Sequence, residues 1–293
     1  MAETIKEKVT RIYLAIQKYQ NGGPNTRYKS WEWCHYQFLN LKDKYLVSSS
    51  EQQNEIADFL ALHLGFYLAS WGMYRGSSYL LQRDYKTHIP VVKMILNKKY
   101  KILWDYKPSK KNISSAYNLL FKDDEGIYWQ IKNSYSKYDA DCSDFSSETL
   151  VSKILLGTFC CVPAFDRYLK SGIGYFNKKQ KQINDKSKKY LLSQSLESKN
   201  GDKYISSKTF KEISRFALNN SKEFKTINYP AMKCVDMYFW AIGFELDLYN
   251  QSKKQTNENK QKKLVAKALV FDILNKGDAF EKLHSKIEDL DFK

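Results

Sequence analysis

Arg83, Asp84 and His88 are the residues whose types and spacing could do chemistry together, within the run Arg-Asp-Tyr-Lys-Thr-His. Histidine titrates near neutral pH and can act as a general acid or base. Arginine stays charged and can form two parallel hydrogen bonds with phosphate oxygens. Residues of these types at this spacing could therefore act together on a phosphodiester, one by proton transfer and the other by stabilising negative charge.

A second group lies just upstream, where Arg75 is followed by Ser77 and Ser78. If a helix separates Arg75 from Arg83, both guanidinium groups could lie near one pocket. Arg75 and the two serines would then help to hold a phosphate or a nucleic acid. Small polar residues are also a common way to begin a helix, so a purely structural role for the serines stays open.

The elements on both sides of the motif are predicted to be helical. Ser50 and Gln53 are typical of a capping box and predict a helix that runs to about residue 71. Pro90 is unfavourable inside a helix but suits a first turn, so we expect the chain to bend near residues 87–90 and to continue as a helix. The motif would then lie at a junction between helices, where side chains can converge on a pocket.

The rest of the sequence favours an all-α fold, a helical bundle with a polar, lysine-rich insertion or linker. We divide the chain into a helical domain over 1–175 that carries the motif, an insertion or linker over 176–205, and C-terminal helices over 206–293 that pack on the first domain. Further helices are expected from the apolar periodicity over residues 3–20, 113–121, 148–170, 207–219, 230–250, 264–275 and 277–288. Ser146 or Ser147 should cap the long apolar helix, and Asp166 with Arg167 should end it.

The net charge and the apolar segments of the chain indicate which partners it could bind and whether it could enter a membrane. The net charge of +16 predicts attraction to the phosphate backbones of RNA or DNA, which weakens as salt increases. The lysine surplus is also typical of AT-rich bacterial genomes, so charge alone does not decide this. Two apolar segments, residues 59–74 and 154–165, are shorter than the ~20 residues that a bilayer requires and are expected to be buried core helices.

We therefore expect a cytoplasmic protein that makes no membrane contact. The N-terminus lacks an apolar signal region, and the five cysteines form no Cys-x-x-Cys pair. No metal is expected because no paired cysteine and histidine spacing typical of zinc occurs. No cofactor is expected because the sequence has no P-loop and no Gly-rich dinucleotide fingerprint.

The run from Arg83 to His88 fits the pattern Arg-[Asp/Asn]-x-x-x-His and resembles the active-site motif of HEPN ribonucleases. The resemblance covers these six residues. It implies a helical bundle and a metal-independent endoribonuclease whose active site forms across a homodimer and leaves 2′,3′-cyclic phosphate ends. His88 would transfer protons, Arg83 would stabilise the transition state and Asp84 would position one of them. Such proteins often act as toxins or antiphage-defence effectors, which also implies a protein regulator or partner.

Two other interpretations stay open. In the first, Arg83 and Asp84 are surface charges and His88 lies at a helix end, where a protonated ring interacts favourably with the helix dipole. In the second, the chain is a non-catalytic nucleic-acid-binding or adaptor subunit of a larger defence complex. The nuclease hypothesis requires Arg83 and His88 to face a common, solvent-accessible cleft. The binding hypothesis predicts salt-sensitive affinity that survives His88→Ala.

Overall fold

The computed structural model describes residues 29–76, 78–104, 106–136, 147–183, 196–199, 202–254 and 256–257, together with residue 10. In this part the chain is mostly helical, which confirms the predicted all-α class. Ser77 and the helices predicted over 3–20, 264–275 and 277–288 lie outside the described residues.

The described chain contains α-helices throughout. The helices are α1 (Ser30–Val47), α2 (Ser50–Ser70), α3 (Ile89–Ile95), α4 (Ile113–Phe121), α5 (Ile127–Ser136), α6 (Glu148–Gly157), α7 (Arg167–Ile183), α8 (Ser207–Asn219), α9 (Ser221–Lys225) and α10 (Ala231–Lys254). Four 3-10 turns lie in the connections from α2 to α5, namely Tyr79–Gln82, Tyr85–His88, Lys98–Leu103 and Asp123–Glu125. An antiparallel hairpin pairs β1 (Leu196–Lys199) with β2 (Asp202–Ile205).

The helix before the motif begins with a capping box one residue earlier than the sequence predicts. Ser49, rather than Ser50, accepts a hydrogen bond from the Gln52 backbone, and the Gln52 side chain accepts one from the Ser49 backbone. Serine occurs at three successive positions here, so the pattern alone does not select among them. The end of the helix at Ser70 agrees with the prediction.

The single long helix predicted over 148–170 is wrong. Ser147 caps α6 as expected, but α6 ends at Gly157, and Cys160 has a left-handed backbone with φ of 55°. The chain then runs without helix to Asp166, whose carboxylate caps the next helix, α7. Asp166 therefore begins a helix and does not end one. The apolar run that suggested a single helix instead reflects a segment buried on all sides.

Helices α7 and α10 cross with their backbones almost in contact. A Cβ atom at Gly172 would lie 1.9 Å from the Phe239 carbonyl oxygen, and one at Gly243 would lie 1.9 Å from the Tyr168 carbonyl oxygen. Only glycine fits at both positions, since any side chain would force the helices apart. This crossing fixes the start of α7 against the middle of α10.

One hydrophobic core spans the described helices. Tyr106 before α4 stacks on Phe210 of α8, with ring centroids 6.0 Å apart, and Trp31 of α1 meets Tyr229 at 5.6 Å. Residues on both sides of the lysine-rich segment thus pack on one another. The division into domains stays a prediction, although α7 and the hairpin occupy both ends of the segment expected to be an insertion.

The apolar segment over 59–74 is only partly buried, in contrast to the expected core helix. Leu60 and Leu64 are fully buried, whereas Phe59, Leu62 and Phe66 on the opposite side of α2 are 43%, 51% and 61% exposed. None of the helices in the described ranges combines the length and apolar character that a membrane span requires.

Candidate functional site

His88, the histidine of the motif, is fully buried. It closes the 3-10 turn Tyr85–His88, and Pro90 lies in the first turn of α3 as the sequence predicts. Its Nε2 lies 2.7 Å from the Tyr74 hydroxyl and its Nδ1 lies 2.7 Å from the Tyr135 hydroxyl. Burial lowers the pKa of His88 to about 4, although the nearby Asp84 opposes this shift.

The environment of His88 has a clear chemical consequence. A neutral imidazole carries one N–H, so one tyrosine donates to the ring and the other accepts from it. In this arrangement both nitrogens are occupied and the ring is uncharged at neutral pH. It can act on a phosphodiester only if a tyrosine moves away.

The other two motif residues end and begin the turns around His88. The Arg83 backbone N–H donates to the Leu80 carbonyl at 3.0 Å, and the Arg83 side chain is half-buried. Asp84 is exposed, and its carboxylate accepts a hydrogen bond from the Lys86 backbone at 2.9 Å. Asp84 therefore caps the turn that presents His88 to the core. These contacts do not test the catalytic roles of the three residues, which stay predictions.

The predicted phosphate-binding group is split by the structure. The Ser78 hydroxyl donates to the Met73 carbonyl and accepts from the Leu80 backbone, so it caps the 3-10 turn Tyr79–Gln82. Arg75 instead lies on the surface loop that follows α2. Its guanidinium makes no hydrogen bond or ion pair with any residue in the described part of the chain.

Arg75 folds back over a glycine of the same loop. Gly72 has a positive φ of 75°, and a Cβ atom there would lie 2.8 Å from Nε of Arg75 and 2.9 Å from Cζ. Glycine suits the positive φ, and its lack of a side chain also leaves room for the guanidinium in this position. Sequence reasoning singled out Arg75 but gave no role to Gly72.

Arg75 lines a cavity of about 420 Å³ between the loop after α2, the first half of α6 and the crossing of α7 with α10. Its charged side chains are Arg75, Lys153, Arg167 and one carboxylate, Asp166. The side chains that line the cavity therefore include three cations and one carboxylate, and Arg167 also pairs with Asp247 outside the lining. The remaining wall includes Ser70, Trp71, Met73, Thr149, Tyr168, Trp240 and Phe244.

Lys153 forms a cationic floor for this cavity. It is 6% exposed, and its Nζ donates to the Trp71 carbonyl at 2.9 Å. Burial lowers the pKa of Lys153, and Arg75 and Lys233 act in the same direction, while Asp166 and Asp236 raise it. An ammonium has three hydrogens, so Lys153 keeps donors beyond the bond to Trp71.

Asp166 lies beside Lys153 with one carboxylate oxygen available. Its Oδ1 accepts hydrogen bonds from the backbones of Tyr168 and Leu169, both at 3.0 Å. No residue of the described chain donates to Oδ2. Burial raises the pKa of Asp166, while the bond from Leu169 opposes the shift.

The aromatic wall of the cavity comes from the two crossing helices. Trp240 and Phe244 are stacked, with centroids 4.9 Å apart and planes 10° apart, and Tyr168 meets both edge-on. Arg167 lies over the Tyr168 ring at 4.5 Å and pairs with Asp247 at 3.5 Å. Its side chain is 73% exposed, so it stands at the rim. The aromatic wall follows from the glycine crossing of α7 and α10.

No group of histidine, cysteine or carboxylate side chains in the described ranges is arranged to hold a metal ion. No protein-family model, curated protein or solved structure matches this chain. The cavity and the motif are therefore the features of this chain that bear on its function.

Proposed function

We propose that this protein binds single-stranded RNA and that the cavity beside Arg75 holds part of the strand. One observation carries the proposal: a guanidinium that no described residue engages, a buried ammonium and an aromatic wall meet in one cavity. Its volume, about 420 Å³, lies within the range of about 300–1,000 Å³ typical of small-ligand pockets.

The cavity offers the two kinds of contact that unpaired nucleotides need. Arg75 can form paired hydrogen bonds with phosphate oxygens, and Arg167 can add a further donor beside its contact with Asp247. Aromatic rings such as Trp240 stack on bases only when the bases are not paired, which favours single strands over duplexes. The net charge of +16 adds a long-range attraction for the whole strand.

The sequence motif separately suggests a ribonuclease activity of the HEPN kind and a homodimer, and these hypotheses and the cytoplasmic location are untested. RNA binding through the cavity does not require His88 to be released from its tyrosines. Cleavage by His88 does require it. The two functions can therefore be separated by mutation.

The test measures binding of a fluorescent single-stranded RNA of about 10 nucleotides, a length within the usual range of site sizes. Fluorescence anisotropy of wild type is compared with Arg75→Ala between about 50 and 200 mM salt. We expect Arg75→Ala to weaken binding about tenfold and to lower the slope of log affinity against log salt by about 0.7, the share of one phosphate contact.

Arg215→Ala is the matched control, since Arg215 is an exposed arginine of α8 outside the cavity and its loss changes the net charge equally. Equal losses in both variants would show that only total charge matters and would contradict a site at the cavity. No binding by wild type at low salt would leave the adaptor hypothesis. Equal affinity for a duplex of the same length would remove the single-strand preference.

A further inference from the structure

We infer that the cavity recognises guanine, with Lys153 and Asp166 contacting the base edge and the two rim arginines contacting phosphate. This inference rests on the proposed function for its biological setting. The shared chemistry is a guanosine phosphate, either free or as one unit of a single strand.

The cavity wall carries one fixed hydrogen-bond donor and one fixed acceptor. Lys153 is 6% exposed and is held in place by its bond to the Trp71 carbonyl. Asp166 is held by two backbone N–H groups on Oδ1, and no described residue donates to its Oδ2. A fixed ammonium and a fixed carboxylate oxygen therefore line the same cavity.

The ammonium and the carboxylate oxygen match the hydrogen-bonding edge of guanine better than those of the other three bases. Guanine has two adjacent donors, N1–H and the N2 amino group, next to one acceptor, O6. Oδ2 of Asp166 has two lone pairs for the donors, while Lys153 donates to O6. Uracil has a single N–H between two carbonyl oxygens, which would face the carboxylate unfavourably. Adenine and cytosine each present one amino group beside a ring acceptor, so each makes fewer bonds to the carboxylate.

The sugar and phosphate of a bound guanosine phosphate would lie toward the rim of the cavity. Arg75 lies on the exposed loop and Arg167 lies at the start of α7 with a 73% exposed side chain. Both therefore stand nearer to solvent than Lys153. A base on the floor would leave its sugar and phosphate at this cationic rim, where either a free phosphate or a continuing strand can be held.

The test titrates GMP, IMP and AMP into the whole protein and measures their affinities by isothermal titration calorimetry. A second set of titrations compares an RNA strand that contains a single guanosine with an all-uridine strand. IMP lacks only the N2 amino group of GMP, so it isolates one hydrogen bond. We expect GMP to bind about tenfold more tightly than IMP and AMP, and the guanosine strand about tenfold more tightly than the uridine strand.

Asp166→Asn is the decisive variant because asparagine caps helices as well as aspartate does. Its carbonyl oxygen would replace Oδ1 at the cap, which leaves the amide N–H₂ in the place of Oδ2. The variant should lose the preference for GMP and gain affinity for XMP, whose O2 accepts where guanine donates. A merely structural role for Asp166 would not reverse the order of two ligands.

The results separate this inference from the proposed function. Equal binding of GMP, IMP and AMP that Asp166→Asn leaves unchanged would overturn the guanine site, even if RNA binding still depended on Arg75. Selective GMP binding without binding of either RNA strand would support a free-nucleotide site and overturn the proposal of RNA binding. No binding of any of these ligands would overturn both.

Discussion

The hydroxyl of Tyr74 lies 2.7 Å from Nε2 of His88. Tyr74 belongs to the loop that follows α2, and the next residue of that loop, Arg75, lines the cavity. The histidine of the sequence motif is thus joined by one hydrogen bond to the loop that presents the proposed RNA contact. His88 anchors this loop in the described arrangement and positions it from within the core.

Tyr74→Phe should lower the free energy of unfolding by about 1–3 kcal/mol, the cost of leaving a buried polar atom without its partner. Tyr85→Phe provides the control, since the Tyr85 hydroxyl bonds the half-buried Asp58 carboxylate at 3.2 Å and should matter less. Urea denaturation of the two variants gives both values. A smaller loss in Tyr74→Phe than in Tyr85→Phe would contradict the anchoring role.

The stability should fall as the pH is lowered from about 6.5 to about 4, the ordinary and the folded pKa of His88. In this range the unfolded chain binds a proton that the buried ring does not take up, so protons favour the unfolded state. The resulting loss in the free energy of unfolding amounts to about 3 kcal/mol once the pH is below both pKa values.

His88→Gln isolates this contribution, because glutamine keeps a donor and an acceptor but does not titrate. Denaturation of both proteins at several pH values should show a shallower decline in the variant. Parallel declines would assign the effect to other groups. Asp166 cannot produce it, since a carboxyl whose pKa is raised on folding makes stability rise on acidification.

Incubation of the protein with RNA in the presence of EDTA tests the ribonuclease hypothesis. With both ring nitrogens of His88 bonded to tyrosines and the ring neutral, we expect wild type to bind RNA and leave it intact. Cleavage by wild type, with cyclic phosphate ends and none by His88→Ala, would instead establish the nuclease. Such a result would show that Tyr74 or Tyr135 moves away when substrate binds.

The local signals in the sequence predicted local structure well. The cap at Ser147 and the helix over 207–219 are confirmed because capping and periodicity depend on residues within a turn or two. Pro90 likewise starts α3 as expected. The break after Gly157 was missed because an apolar run fits a buried helix and a buried coil equally.

The candidate site depended on contacts that no local pattern contains. His88 is buried by Tyr135, which lies 47 residues further along the chain, and Lys153 bonds a carbonyl 82 residues away. A lysine within an apolar stretch was the available signal for the cavity floor, since lysine is rarely buried without a partner. The sequence predicts Asp166 to end a helix, and its place beside Lys153 follows only from the fold.

Gly72→Ala should weaken RNA binding, although by less than Arg75→Ala does, because a Cβ atom 2.8 Å from Nε of Arg75 makes the guanidinium shift from its position over the loop. Gly76→Ala is the matched control. Gly76 also has a positive φ, of 63°, but a Cβ atom there meets nothing within 4 Å. Both variants should lose about 1 kcal/mol of stability from the unfavourable backbone. Only Gly72→Ala should lose affinity, measured by anisotropy at one salt concentration. Equal affinities would show that the exact placement of Arg75 does not matter, whereas equal losses would point to the loop backbone itself as the RNA contact.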